Sequence, residues 1–118
     1  MNIRLTINGQ TLSAALEDNA AARDFFGLLP LVLDLEDYAA TEKIAQLPQK
    51  LSTAGAPAGM TPAAGDITYY APWGNLAIFY KGFDHSAGLV RLGHITGDIQ
   101  LLRGRGPLKV RIEASRKD

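Results

Sequence analysis

The side chains able to do chemistry are few and scattered. His85 and His94 are the only histidines, with Asp84 and Asp98 close to them in the chain. Together they make a conceivable ligand set, yet their spacing matches no familiar metal-binding pattern. Each imidazole therefore reads as structural, and no metal is expected. Ser86 follows His85 directly, but adjacent residues of a strand or loop point apart, and no nucleophile elbow surrounds them. Asp34, Glu36 and Asp37 form an acidic cluster that reads as the solvated end of a strand. The Gly-Asp and Gly-Arg-Gly fragments lack the following helix that a phosphate loop needs. Two arginines in the turn Arg103-Gly104-Arg105-Gly106 are a small footprint for nucleic acid. Catalytic residues are thus left unassigned, and no cofactor is implied.

The chemistry that stands out is aromatic. Residues 65–80 read GDITYYAPWGNLAIFY and carry Tyr69, Tyr70, Trp73, Phe79 and Tyr80. On the first arm Ile67, Tyr69 and Ala71 share one face, with Thr68 and Tyr70 opposite. On the second arm Leu76, Ile78 and Tyr80 share a face, with Ala77 and Phe79 opposite. That period of two predicts a β-hairpin. Pro72-Trp73-Gly74-Asn75 forms its turn, Pro72 presetting φ at the first corner and Gly74 supplying the left-handed closing residue. Both strands carry aromatic character on both faces. One face must fill a core, and the other needs a cover or a ligand.

The remaining elements must position this hairpin. Ile3, Leu5 and Ile7 alternate with polar residues up to the Asn8-Gly9 turn, and Leu12, Ala14 and Leu16 continue the alternation on the return strand. Asp18 or Asn19 caps a helix. Its apolar stripe is Ala22, Phe25, Phe26 and Leu29, and Pro30 ends it. Leu31 to Glu36 is a strand, and Thr41 caps a short helical turn carrying Ile44 and Leu47. The small, Pro/Gly-rich stretch Ser52–Gly65 is a long loop, a surface excursion or a lid. Lys81–Gly88 is polar. Gly88–Thr96 is a strand with Val90, Leu92 and His94 on one face. Gly97-Asp98 turns the chain into Ile99–Arg103, and Leu108, Val110 and Ile112 mark the last strand before a frayed SRKD end. About eight short strands with one good helix predict a mainly β fold, an eight-stranded closed antiparallel barrel with the Ala20–Phe26 helix over one open end.

Bulk properties agree with this and exclude some classes. At 118 residues the chain suits one domain spanning 1–118. Twelve basic residues balance twelve acidic ones, so no overall field recommends nucleic acid or an anionic membrane. The charges are unevenly spread, with eight of the basic residues from Lys81 onward, a bias expected from alternating exposed strand positions. There is no cysteine, which removes disulfides, thiol nucleophiles and Cys-based metal sites. The N-terminus reads as a strand rather than a signal peptide, and no stretch approaches the roughly 20 apolar residues of a membrane span. A cytoplasmic protein is expected, with its oligomeric state open.

The run GDITYYAPWGNLAIFYKGF, followed by GLVRLGHITG, resembles a family of small bacterial proteins with a cyclophilin-like fold. The matching residues are Gly65 and Asp66, Tyr70 and Pro72, Ile78 to Tyr80, and Leu92 to Ile95. The resemblance extends to the NIRLTINGQ opening and the Ala-rich helix, and it implies an eight-stranded barrel without implying an activity. True cyclophilins are peptidyl-prolyl isomerases that use an arginine shortly before a Gly-Gly-Asp. Here Gly65-Asp66 matches the end of that element, but no arginine occurs between Arg23 and Arg91. Lys50, the nearest upstream cation, lacks the planar guanidinium fork.

Two function classes follow. The first is a binding module for a peptide or small ligand, with Tyr70, Trp73 and Phe79 as apolar walls and Asn75 as a polar contact. The second is an isomerase-like enzyme of altered or vestigial activity. A lysine or arginine beside an apolar pocket favours the second, and an aromatic groove without a cation favours the first.

Overall fold

A computed structural model describes residues 1–103 and 106–115. In chain order the elements are β1 (Asn2–Ile7), β2 (Gln10–Leu16), α1 (Ala20–Gly27), β3 (Leu31–Tyr38), β4 (Glu42–Gln46) and β5 (Gly59–Met60). They continue with β6 (Asp66–Tyr70), β7 (Asn75–Phe79), β8 (Ser86–Ala87), β9 (Leu89–Ile95), a 3-10 helix (Ile99–Leu102) and β10 (Leu108–Ala114). Eight strands close into an antiparallel barrel in the order β1-β10-β3-β4-β7-β6-β9-β2, and β5 and β8 form a separate two-stranded ribbon. Among the described residues no helix is long and apolar enough to cross a membrane. The two-arginine turn and the frayed end fall largely on residues 104, 105 and 116–118, which lie outside the described residues.

The alternation read from the sequence becomes the barrel interior. Ile3, Leu5 and Ile7 of β1, Leu12, Ala14 and Leu16 of β2, and Val110 and Ile112 of β10 are all buried in one cluster. Ile67 and Tyr69 join it from β6, and Leu76 and Ile78 from β7. Asn19 caps α1, its side-chain oxygen accepting from Ala22 N at 2.8 Å, while its amide donates to Arg91 O of β9 at 3.0 Å. One residue thus starts the helix and ties it to the barrel. Asp18 instead pairs with Arg23 on the surface. Phe25 is fully buried in the core and Phe26 packs against it partly covered. Burying a side chain of that size contributes about 2 kcal/mol.

Outside the aromatic hairpin, four expectations need correction. The helical turn after Thr41 is instead strand β4, which pairs with β3 and β7. Thr41 Oγ1 donates to Ala39 O, and Ala39 and Ala40 both take positive φ, 55° and 52°, in the connection from β3. The helix pattern misled because β4 inverts the usual alternation: Lys43 points inward at 0% exposure, and Ile44 points outward. Ile99–Leu102, read as a strand, is the 3-10 helix, its first turn capped by Asp98, which accepts from Gln100 N. The count of eight barrel strands holds because β4 takes the place of that segment.

His94 does not share the face of Val90 and Leu92. A register shift opposite Ile67 and Thr68 gives β9 an extra residue, so Ile95 takes the core position and His94 turns outward. Gly93 sits at this bulge, where a Cβ would lie 2.3 Å from Ala15 O; only glycine fits so close to β2. The acidic cluster also divides. Asp34 and Glu36 are exposed, whereas Asp37 lies 3.4 Å from the buried Lys43 ammonium and accepts from the Tyr80 hydroxyl. The Tyr80 hydrogen bond, aided by Lys43, holds the Asp37 carboxyl below its ordinary value.

Candidate functional site

The hairpin β6–β7 turns through Ala71–Gly74. Gly74, at φ 70°, donates to both Tyr70 O and Ala71 O. Asn75 is the first residue of β7, paired with Tyr70, rather than a turn residue. This lifts Trp73 to the corner of the hairpin, where it stays 55% exposed.

With Ile67, Tyr69, Leu76 and Ile78 inside, the outward faces of β6 and β7 present Tyr70, Asn75, Ala77 and Phe79. A second apolar cluster forms there, outside the barrel: Ala77, Phe79 and Leu89, with Ile44, Met60 and Tyr70 packed against them. Met60 comes from the Ser52–Gly65 loop, whose strand β5 pairs with β8. The loop is held at close range, since a Cβ on Gly59 would come within 2.5 Å of Ser86 O. It therefore covers part of the outer sheet but leaves the rest open.

The open part is a groove of about 420 Å³. Its lining includes all four residues expected from the sequence, Tyr70, Trp73, Asn75 and Phe79. They contribute unequally. Phe79 and Asn75, 2% and 3% exposed, form the floor, and Tyr70 and Trp73 form a wall. Tyr38, Glu42, Ile44 and Phe83 complete the lining with residues of β8 and β9. Trp73 meets Tyr70 at 5.3 Å and 82° and Tyr38 at 5.9 Å and 85°, so one indole stands nearly perpendicular to two phenol rings.

Tyr38 and Glu42 escaped the sequence reading because they come from β3 and β4, well before the hairpin in the chain. The register sets Glu42 directly across from Tyr38 on one side and Phe79 on the other. Burial beside these rings raises its carboxyl from the usual 4.5 to about 7. Among the described residues no cation reaches ion-pairing distance of it. Asn75 donates from Nδ2 to Leu76 O at 3.0 Å, but its buried Oδ1 has no hydrogen-bond partner among the described residues. Among the described residues no lysine or arginine lines the groove.

The other chemically capable residues assemble elsewhere and otherwise than expected. His94 does not meet His85. Its Nδ1 lies 2.8 Å from Oδ1 of Asp66, a fully buried carboxylate that also binds the Arg91 guanidinium and accepts from Ala63 N at 2.8 Å. Arg91 pairs further with Glu17 at 3.4 Å. Gly65 leaves room for the imidazole, since a Cβ there would meet it at 3.0 Å. The Gly65-Asp66 and Leu92–Ile95 segments are thus two halves of one clasp joining β6, β9 and the preceding loop. Sequence separation of 28 residues between Asp66 and His94 hid it. His85 has a long contact of 3.5 Å to Thr61, and Ser86 Oγ donates to Asp84 O. Among the described residues no three His, Asp or Glu side chains gather as a metal-holding group.

Comparison with known proteins agrees with this architecture. The solution structure of the hypothetical protein AF2241 from Archaeoglobus fulgidus superposes with a TM-score of 0.68 at 14% identity, covering 98% of this chain and 95% of that one. At that identity the likeness is one of fold. No curated protein matches the sequence. The family model described as the Cyclophilin-like family matches residues 5–113.

Proposed function

We propose, from the premise that the chain belongs to the Cyclophilin-like family, that it is a binding module taking a small ligand in the aromatic groove outside the barrel. Fold alone does not assign an activity, so the reading rests on the site. One observation carries it. Of the five large apolar side chains exposed among the described residues, three, Tyr38, Trp73 and Phe83, converge on this one groove. Exposed apolar surface concentrated in a concavity is the usual mark of a binding site. The volume falls at the small end of the roughly 300–1,000 Å³ typical of ligand pockets, which suits a small molecule or a single peptide side chain.

The competing reading, a prolyl isomerase of altered activity, loses support on the same observation. Its chemistry calls for a guanidinium beside the pocket. Arg91 is engaged by Asp66 and Glu17, and Lys50 is exposed and does not line the groove.

Trp73 is the only tryptophan, so its fluorescence reports on the groove without labelling. A fragment screen by thermal shift, followed by emission spectra, tests the reading. Stabilising hits are expected to shift or quench Trp73 emission. Hits that stabilise the protein yet leave Trp73 emission unchanged would place binding elsewhere and overturn it.

A further inference from the structure

We infer that the groove is built for an organic ammonium ion, held against the faces of Tyr38, Tyr70 and Trp73 with Glu42 as its counter-ion. This deepens the binding reading above and depends on it. The first argument is the walls. An aromatic ring carries negative charge on its faces, and a cation over such a face gains about 0.5–2 kcal/mol according to how far it is desolvated. Here the indole stands nearly perpendicular to two phenol rings, at 5.3 and 5.9 Å. Rings at right angles present faces in different directions, and an ammonium group can be attracted by more than one at once.

The second argument is the polar content of the lining, which is rich in acceptors. Glu42 supplies a carboxylate that is partly buried and, among the described residues, has no cationic partner. Asn75, 3% exposed, supplies Oδ1, which has no donor among the described residues. Ser86 directs its proton to Asp84 O at 3.1 Å, leaving its lone pairs for another donor. A buried acceptor without a donor costs about 1–3 kcal/mol, and more when charged. A ligand that brings both positive charge and N–H or polarised C–H groups relieves these costs together.

The alternatives fit less well. An anion would face the Glu42 carboxylate with no lysine or arginine among the described lining residues to offset it. A neutral apolar molecule would cover Asn75 Oδ1 and the carboxylate while giving neither a partner. A hard metal cation prefers six or more oxygen ligands, whereas apolar and aromatic side chains dominate this lining.

The test compares choline with dimethylbutanol, its uncharged carbon analogue, by calorimetry and Trp73 emission on the full chain at pH 8. Choline is expected to bind about 10-fold or more tightly than the analogue, the ratio that one desolvated cation–aromatic contact supplies. Glu42→Gln should remove most of that preference while leaving the weak binding of the analogue intact. Trp73→Ala should weaken both. A short peptide carrying a trimethylated lysine distinguishes the source: tighter binding than choline assigns the ammonium to a protein side chain, and weaker binding assigns it to a free metabolite. Equal affinity for choline and dimethylbutanol sinks the ammonium inference and leaves the aromatic-groove reading standing. No effect of any of these probes on Trp73, together with fragment hits that bind elsewhere, sinks both.

Discussion

Replacing Glu42 by glutamine should make the protein more stable at pH 8.5 and remove a pH dependence expected of the native chain. Glu42 sits between Tyr38 and Phe79, and burial raises its carboxyl from 4.5 to about 7. The folded state therefore binds more protons than the unfolded state between those two values, and stability falls as pH rises through that window. Below pH 4.5 both states are protonated, and above pH 7 the full penalty applies. The gap corresponds to at most about 3 kcal/mol. Because the groove is open to solvent on one side, screening reduces this to about 1–2 kcal/mol. Asp37 works in the opposite direction, since its carboxyl is held low by Tyr80 and Lys43. Its contribution is lost only on going below pH 4, outside the window. Urea denaturation at pH 5 and pH 8.5 measures the effect. The native chain should lose about 1–2 kcal/mol relative to Glu42→Gln between these conditions, with similar m-values. Parallel pH profiles for the two proteins would refute the placement of this carboxyl against the aromatic wall.

Four further outcomes follow. Trp73→Ala should cost about 2 kcal/mol, from burial of somewhat less than half the side chain and two edge-to-face contacts, rather than the roughly 3–5 kcal/mol of a buried aromatic; a larger loss by chemical denaturation makes Trp73 core and removes the anchor of the site. Ala40→Gly should raise stability by about 1 kcal/mol or less, since a left-handed residue costs about 1–2 kcal/mol that glycine avoids, partly offset by unfolded-state entropy; a lower melting temperature contradicts the φ of 52°. Choline affinity should fall about 10-fold from pH 8 to pH 6 as Glu42 takes up its proton. Tyr38 and Tyr70 line the same groove, with Glu36 on the neighbouring strand and His85 on the segment packed over it, so His85→Gln must retain the profile and Glu42→Gln must flatten it. Finally, a coupled-protease assay on an Ala-Pro peptide should show no catalysis above background, because losing one transition-state donor commonly removes about 10²–10³ in rate; cyclophilin-like turnover refutes that expectation.

The barrel was legible because most of its strands obey one rule, apolar inside and polar outside. Ile3, Leu5 and Ile7 or Val110 and Ile112 can be read without any knowledge of their partners. Strand β4 breaks the rule in both directions. Its inward Lys43 is tolerated because Asp37 lies 3.4 Å away and Gly106 O accepts at 3.2 Å, and those partners come from other parts of the chain. Its outward Ile44 is apolar because it packs against the outer cluster of Ala77, Phe79 and Leu89. Neither fact is visible in the five letters EKIAQ, where an apolar residue spaced by three from Leu47 imitates a helix. The same dependence on distant partners hid the Asp66–Arg91–His94 clasp and the contribution of Tyr38 and Glu42 to the groove.

The aromatic groove itself was half legible, for a physical reason that also bears on function. A strand in a closed barrel needs only one apolar face, since the other meets solvent. Strands β6 and β7 have two, and the structure shows where the surplus goes. Part of it is covered by Met60 and the β5–β8 ribbon, which accounts for Ala77, Phe79 and Leu89 as a second small core. Tyr38, Trp73 and Phe83 are left about half exposed beside that cover. Packing alone would favour extending the cover over these rings or replacing them with polar residues, because exposed aromatics contribute little to stability and promote association. The hairpin instead raises Trp73 on a Pro-Trp-Gly corner, perpendicular to two tyrosines and beside a carboxyl that burial raises from 4.5 to about 7. A folding requirement explains the floor of the groove but not its rim, and the rim is where substitution should separate binding from stability.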